Sequence, residues 1–326
     1  MSVMIFNQHD IKMVSLVLPE KRIFKDEFNY LNDAKITKIK ENLGFDCHCI
    51  ANDRTYSSDL AIKAIGKILE NFDKNYLDML ISITPSPDFL APQTASIIHK
   101  KLQLPDHTIL LDKTGFCSSI LQGLFFAFTF LDNPNINNII LTYSQTVSKK
   151  IQDDNFYRNI SDNACAFLIQ KSNNPLKNIY SELNLTSFAE KETIPIEAYK
   201  QGADHFYVNN GIFFEESQAN YPLFYNKLIL KTKEIEYYFL HSPNQFFYKK
   251  MVENLSIPYN KLPKKMAYSF FGSLGANTIF FDLHLNKEYV FNGCNKKLFL
   301  GSQGGGITLN ALTLNLSNFN STLIYL

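Results

Sequence analysis

Apolar runs of strand length alternate with helix-like patterns along this chain. Tyr76–Thr84 (YLDMLISIT) predicts a buried strand, and Gln93–Leu102 a helix started by Pro92. Leu104-Pro105 breaks that helix, and Thr108–Leu111 follows as a short strand. Ile120–Phe130 is apolar on every face, so as a helix it must be buried all round. Asn138–Tyr143 and Cys165–Gln170 read as further strands. The stretch from Lys171 to about Pro222 is rich in Asn, Ser and Glu and lacks clear periodicity. Beyond it come a strand at Ile235–Leu240, a helix at Phe246–Leu255, a buried helix at Ala276–Leu285, and Leu298–Leu300 leading into Gly304-Gly305-Gly306. The alternation predicts an α/β architecture in two halves joined near 171–180, divided as 1–175 and 176–326.

Charge and composition narrow the functional classes. With 32 Lys+Arg against 31 Asp+Glu, the net charge of +1 gives no basic field for nucleic acid. Only Arg22, Arg54 and Arg158 are arginines, which weakens phosphate reading further. From Gly115 to Leu131 no residue is charged, but the run holds Ser, Gln and Thr between Lys113 and Asp132. It is read as a buried core helix and not a membrane span, which needs ~20 predominantly apolar residues. Met1–Asp10 shows no basic stretch followed by an apolar one, so no secretory signal is expected. Five cysteines, an odd number, fit free thiols in a reducing cytoplasm. His48 stands between Cys47 and Cys49, but no second Cys/His pair follows at ligand spacing, so no metal is expected. No cofactor motif is present either: the Gly301–Thr308 spacing is not a dinucleotide fingerprint.

Three features carry candidate chemistry. Asp112–Ser119 (DKTGFCSS) joins a predicted strand to the buried helix and places Cys117 at the helix start. There the unpaired N–H groups and helix dipole favour a thiolate. An inert buried thiol fits the same placement, and a partner base is what would decide between them. His241 follows the Ile235–Leu240 strand, at the carboxyl end where ligands of α/β sheets gather; a surface histidine beside a Ser-Pro-Asn turn is the alternative. The Gly304–Gly306 run either brings backbone N–H groups up to an oxyanion or makes a tight hairpin.

The order Cys, His, Gly-rich loop resembles the β-ketoacyl-acyl-carrier-protein synthase III branch of the thiolase-fold condensing enzymes, over roughly Lys35 to Leu314. Thr55–Ala64 is similar to the family's T-S-S-D-L-A helix, and Thr84-Pro85-Ser86-Pro87 with Pro92–Ala95 to its TTTPD…P-x-x-A segment. Asp112–Leu124 resembles D-x-x-x-x-C-S-G-x-L-x-G-L, and Asp162–Ala166 stands at G-D-G-A-G-A with two glycines replaced. His241–Asn244 matches H-Q-A-N at both ends, and Gly304–Thr308 matches G-G-G-L-T. The resemblance implies a duplicated, five-layered αβαβα thiolase-like fold and a homodimer. It implies that Cys117 carries an acyl group taken from a thioester, and that His241 stabilises the oxyanion or enolate of the second step. It also implies that the N–H groups of Cys117 and Gly306 form the other oxyanion hole.

Departures qualify this. The catalytic Asn of the family's G-N-T-S block is Ser273 here, and Asn277 could replace it only if the loop is re-aimed. The chain has no Trp, Gly44–His48 lacks the arginines of the coenzyme-A site, and Phe246 stands for the Arg after H-Q-A-N. An acyl-carrier-protein donor is therefore favoured over acyl-CoA. Phe116, Phe213 and Phe214 are expected to shape an acyl pocket. Two activities follow: condensation of acyl-Cys117 with a malonyl thioester, or transfer of the acyl group to a hydroxyl or amine acceptor such as a sugar, with His241 as general base. A non-catalytic partner subunit is the third reading, opposed by Cys117 and His241.

Overall fold

A computed structural model describes residues 3–7, 9–150, 159–172, 177–184, 210–232, 234–304 and 307–326, with backbone alone at 210–213 and 231. The strands are β1 (Val3–Phe6), β2 (His9–Leu18), β3 (Lys21–Ile23), β4 (Cys47–Cys49), β5 (Met79–Thr84), β6 (Ile109–Thr114) and β7 (Asn138–Gln145). They continue as β8 (Asn163–Lys171), β9 (Asn178–Asn184), β10 (Tyr237–Leu240), β11 (Lys296–Gly304), β12 (Thr308–Leu316) and β13 (Ser321–Tyr325). The helices are α1 (Phe24–Glu27), α2 (Asp33–Leu43), α3 (Ser57–Leu69), α4 (Thr94–Leu102), α5 (Ser119–Leu131), α6 (Asn210–Lys231), α7 (Gln245–Leu255), α8 (Tyr268–Phe271) and α9 (Thr278–Val290).

Two large sheets organise the chain, ordered β13-β2-β8-β7-β5-β6 and β1-β9-β12-β11-β10. Both termini cross over: β1 adds to the sheet built from the second half, and β13 pairs in parallel with β2 of the first. The expected thiolate-bearing helix α5 and helix α9 lie between the sheets. Ile120, Leu121, Leu124 and Phe128 of α5 and Ile279, Phe280 and Leu283 of α9 share one core with Ile81 and Leu141 on one side and Leu298 and Leu312 on the other. Each such side chain contributes ~1.5–3 kcal/mol by leaving water. α3 and α4 cover the outer face of the first sheet through Leu60, Ile65 and Ile98. α6 and α7 cover the outer face of the second through Tyr225, Leu228 and Met251. The layers run αβαβα, the duplicated thiolase-like arrangement expected from the motifs.

α5 can sit in the middle because Gly123 leaves room for the sheet. A Cβ there would lie 2.6 Å from Ile83 Cδ1 and 2.8 Å from Leu141 Cδ1. The softer stretch holds more order than its composition suggests. β9 lies wholly within 171–222, and the 22-residue α6 begins there and runs on to Lys231, with Pro222 inside it. No helix among the described residues is long and apolar enough to cross a membrane.

Candidate active site

Cys117 sits in the turn between β6 and α5, one residue before the helix cap Ser118. The residue is half-buried, and desolvation pushes its thiol up to about 12. The Cys117 N–H, on the sulfur's side, works weakly the other way. The expected helix-terminus effect is thus outweighed by desolvation, and the resting group is a thiol. The turn is pinned at several points. Ser119 donates to the Phe116 carbonyl from N–H at 2.9 Å and from Oγ at 2.6 Å. Asn310 Nδ2 donates to the Ser118 carbonyl at 2.8 Å. Gly304, at the end of β11, packs on Ser118: a Cβ there would lie 2.7 Å from Ser118 Oγ.

His241 follows β10 directly, and its N–H donates to the Gly301 carbonyl of β11 at 2.8 Å. The Cys117 turn and His241 are therefore both referred to β11, at Gly304 and Gly301. The imidazole is 2% exposed, and burial lowers its pKa to about 4, with the Gly275 backbone acting in the opposite sense. It is neutral at physiological pH, and Nδ1 has no hydrogen-bond partner among the described residues. Cys117 lies within electrostatic reach of Tyr143, whose hydroxyl donates to Gln145 Oε1 at 2.8 Å. Gln145 presses on Gly275, where a Cβ would lie 2.6 Å from Oε1, and Gly275 adjoins His241.

Ser273 lies buried in the turn between Gly272 and Gly275, whose φ of 71° and 59° belong to the left-handed region. Its carbonyl accepts from the Ser161 N–H at 2.7 Å. Asn277 is the expectation that the geometry changes. Its Nδ2 donates to Asn163 Oδ1 at 2.6 Å and to the Tyr143 carbonyl at 3.4 Å, and its Oδ1 accepts from Cys165 Sγ at 2.8 Å. Both ends of the amide are in use inside the core, so Asn277 is not a spare donor for substrate. Asn163 and Cys165 occupy glycine positions of the resembled G-D-G-A-G-A block, and both bond to Asn277. Beside them, Asp162 takes bonds from Ser148 Oγ at 2.5 Å and the Ala51 N–H at 3.0 Å, and burial raises its carboxyl to about 6.

Gly306 and the Phe213 side chain lie outside the described residues. Phe116 is half-buried beside Cys117. Phe214 belongs to the outer helical layer, stacked on Phe246 of α7 at 5.6 Å and edge-on to Phe247. Around the expected donor site, Asp46 pairs with Lys40 at 2.9 Å, and Lys250 with Glu253 at 2.9 Å. His48 contacts Glu27 within an aromatic surround of Phe24 and Phe28. Among the described residues no group of His, Cys, Asp and Glu could hold a metal ion. Sequence reasoning missed Gln145, Tyr143 and Asn310, which sit on strands and carry no motif.

No protein-family model matches the chain. It is 26% identical to a putative 3-oxoacyl-[acyl-carrier-protein] synthase 3 of Campylobacter jejuni over 98% of each chain. It is 24% identical to a β-ketoacyl-[acyl-carrier-protein] synthase III of Halalkalibacterium halodurans, covering 93% of this chain and 95% of the other. Among solved structures, a 3-oxoacyl-(acyl-carrier protein) synthase from Burkholderia xenovorans superposes with a TM-score of 0.90 at 17% identity, over 100% of this chain and 99% of that one. Cerulenin-bound OleA of Xanthomonas campestris gives 0.77 at 18% identity, over 95% of this chain and 97% of the other. At those identities the structural likeness is one of fold. Along nearly its whole length the chain is thus similar to enzymes named as synthase III, and it shares the thiolase fold of the solved structures.

Proposed function

We propose that this chain forms an acyl-enzyme on Cys117 and condenses it with a malonyl thioester. The observation that supports the reading is that the Cys117 turn and a neutral, buried His241 are both set against β11, the turn through Ser118 on Gly304 and the histidine through its N–H on the Gly301 carbonyl. The sulfur attacks the carbonyl of a thioester donor while its proton passes to a base. The new S–C bond forms, the donor's C–S bond breaks, and the donor thiol leaves protonated. The N–H groups of Cys117 and Gly306 receive the oxyanion. In the second step malonyl loses carbon dioxide and its carbanion attacks the acyl carbonyl; the C–C bond forms, the acyl–S bond to Cys117 breaks, the β-ketoacyl thioester is released, and the Cys117 thiolate takes a proton from water. His241 donates to the enolate oxygen from its nitrogen-bound hydrogen.

A second reading is favoured by Ser273 and by the occupied amide of Asn277. Without a free Asn beside His241 the enolate has fewer donors, and losing one oxyanion donor costs ~10²–10³ in rate. Acyl transfer to a hydroxyl or amine needs no enolate: His241 Nδ1 accepts the acceptor's proton as its oxygen or nitrogen attacks acyl-Cys117, and the proton returns to the Cys117 sulfur as the acyl–S bond breaks. Carbon dioxide release and β-ketoacyl product from a malonyl carrier establish the first reading. Acylated acceptor without carbon dioxide establishes the second, and no acyl adduct on Cys117 by mass spectrometry removes both.

The donor in this reading is an acyl-carrier protein ahead of acyl-CoA, given Phe246 and the Lys40-paired Asp46 where basic residues were expected. The assembly is a homodimer. β6 is the edge of its sheet, with Ile109 exposed, and Phe89 and Leu90 are 60% and 82% exposed in the loop before α4. An unpaired apolar edge with such neighbours is a surface that a second copy would cover.

A further inference from the structure

We propose that Ser119 is a positioning residue for the oxyanion donor of Cys117, an inference that rests on the acyl-enzyme reading above. The signature that Asp112–Leu124 resembles has glycine at this place; here it is a serine, 1% exposed. Its hydroxyl donates to the Phe116 carbonyl at 2.6 Å, and its N–H donates to the same oxygen at 2.9 Å. That carbonyl belongs to the peptide whose N–H is that of Cys117. In a planar trans peptide the C=O and N–H point in opposite directions. Two donors holding the oxygen therefore fix the direction of the Cys117 N–H, which lies on the sulfur's side. Hydrogen bonds to the oxygen also polarise the peptide and strengthen its N–H as a donor.

The surroundings are shaped to this bond. A Cβ on Gly115 would lie 2.5 Å from Ser119 Cβ and 3.0 Å from its Oγ, so the chain is bare where the serine needs space. The next peptide is held separately, by Asn310 Nδ2 on the Ser118 carbonyl at 2.8 Å, with Asn310 Oδ1 2.9 Å from the Tyr180 hydroxyl. Helix α5 itself is secured by its core contacts. The Ser119 hydroxyl is thus left with one job that packing does not already do: aiming a single peptide at the place where the thioester oxygen becomes negative.

The experiment compares two reactions of Cys117 in the full-length wild type, Ser119→Ala and Ser119→Gly. Acylation by an S-acyl N-acetylcysteamine thioester needs the oxyanion donor; alkylation by iodoacetamide needs only the thiol. Ser119→Ala and Ser119→Gly are expected to slow acylation about tenfold, the order of one hydrogen bond's net worth. Alkylation should stay within about twofold, which also reports an intact site. Acylation at the wild-type rate in both variants overturns the inference. So does a parallel fall in both reactions, since the hydroxyl would then merely support the turn. A wild type that is alkylated but never acylated refutes the acyl-enzyme reading itself, whatever the variants do.

Discussion

Lowering the pH should cost this protein stability through His241, by an amount that follows from its burial. The imidazole is 2% exposed, and its pKa falls from 6.5 to about 4 on folding because a charged ring would lose its hydration. Between those values the unfolded chain binds a proton that the folded chain does not. Stability from this residue is therefore complete above about pH 6.5 and is lost as the pH falls towards about 4. At 1.36 kcal/mol per pH unit the whole loss is about 3 kcal/mol, and about 2 kcal/mol of it is gone by pH 5. Other groups titrate in the same range. His284 is also lowered to about 4, whereas Asp162, raised to about 6, holds a proton in the folded state and gains stability as pH falls. The informative quantity is thus the difference between wild type and His241→Asn, whose side chain does not titrate. Urea unfolding at pH 7, 6 and 5 should show the variant's destabilisation shrinking by about 2 kcal/mol from pH 7 to pH 5. A destabilisation that does not change with pH would refute a neutral buried imidazole, and with it the proposed role of His241 as the base that takes the acceptor's proton.

Three further outcomes are expected. Because burial pushes the Cys117 thiol up to about 12, its alkylation by iodoacetamide should climb about tenfold per pH unit from pH 7 to 9.5; a plateau near neutrality would show that the helix terminus wins after all. Asn277→Ala strands Asn163 Oδ1 and Cys165 Sγ in the core, and should lower unfolding stability in urea by about 2–3 kcal/mol. If acylation of Cys117 in that variant falls far more than stability does, Asn277 has a role at the substrate. Gly123→Ala drives a methyl group into Ile83 and Leu141 and should cost about 1–3 kcal/mol by thermal or urea unfolding; an unchanged midpoint would mean that α5 does not lie against β5 and β7 as described.

Much of the central architecture was legible because it is made of local, apolar patterns. β5, β7, β8 and α5 are runs whose burial is written in their own residues, and Cys117 is marked by the strand-to-helix turn that carries it. What escaped was non-local or mixed in pattern. β13 belongs to the first sheet through a pairing with β2, some three hundred residues away, that no window along the chain reveals. Helix α6 buries Ser217, Tyr221, Phe224, Tyr225 and Leu228, a spacing of threes and fours obscured by Pro222 and its polar neighbours. The thiol's resting state was equally hidden, since a helix terminus is visible in a sequence and the depth of a sulfur is not. The role of Asn277 is different, because a signal for it did exist. Wherever a residue with hydrogen-bonding capacity replaces a glycine inside a resembled motif, that capacity must be met once the site is buried. Asn163 and Cys165 meet theirs in Asn277, which removes it from the substrate. Ser119 meets its own in the Phe116 carbonyl, on the peptide that carries the Cys117 N–H. The departures from the motif thus carry more information about this particular site than its matches do.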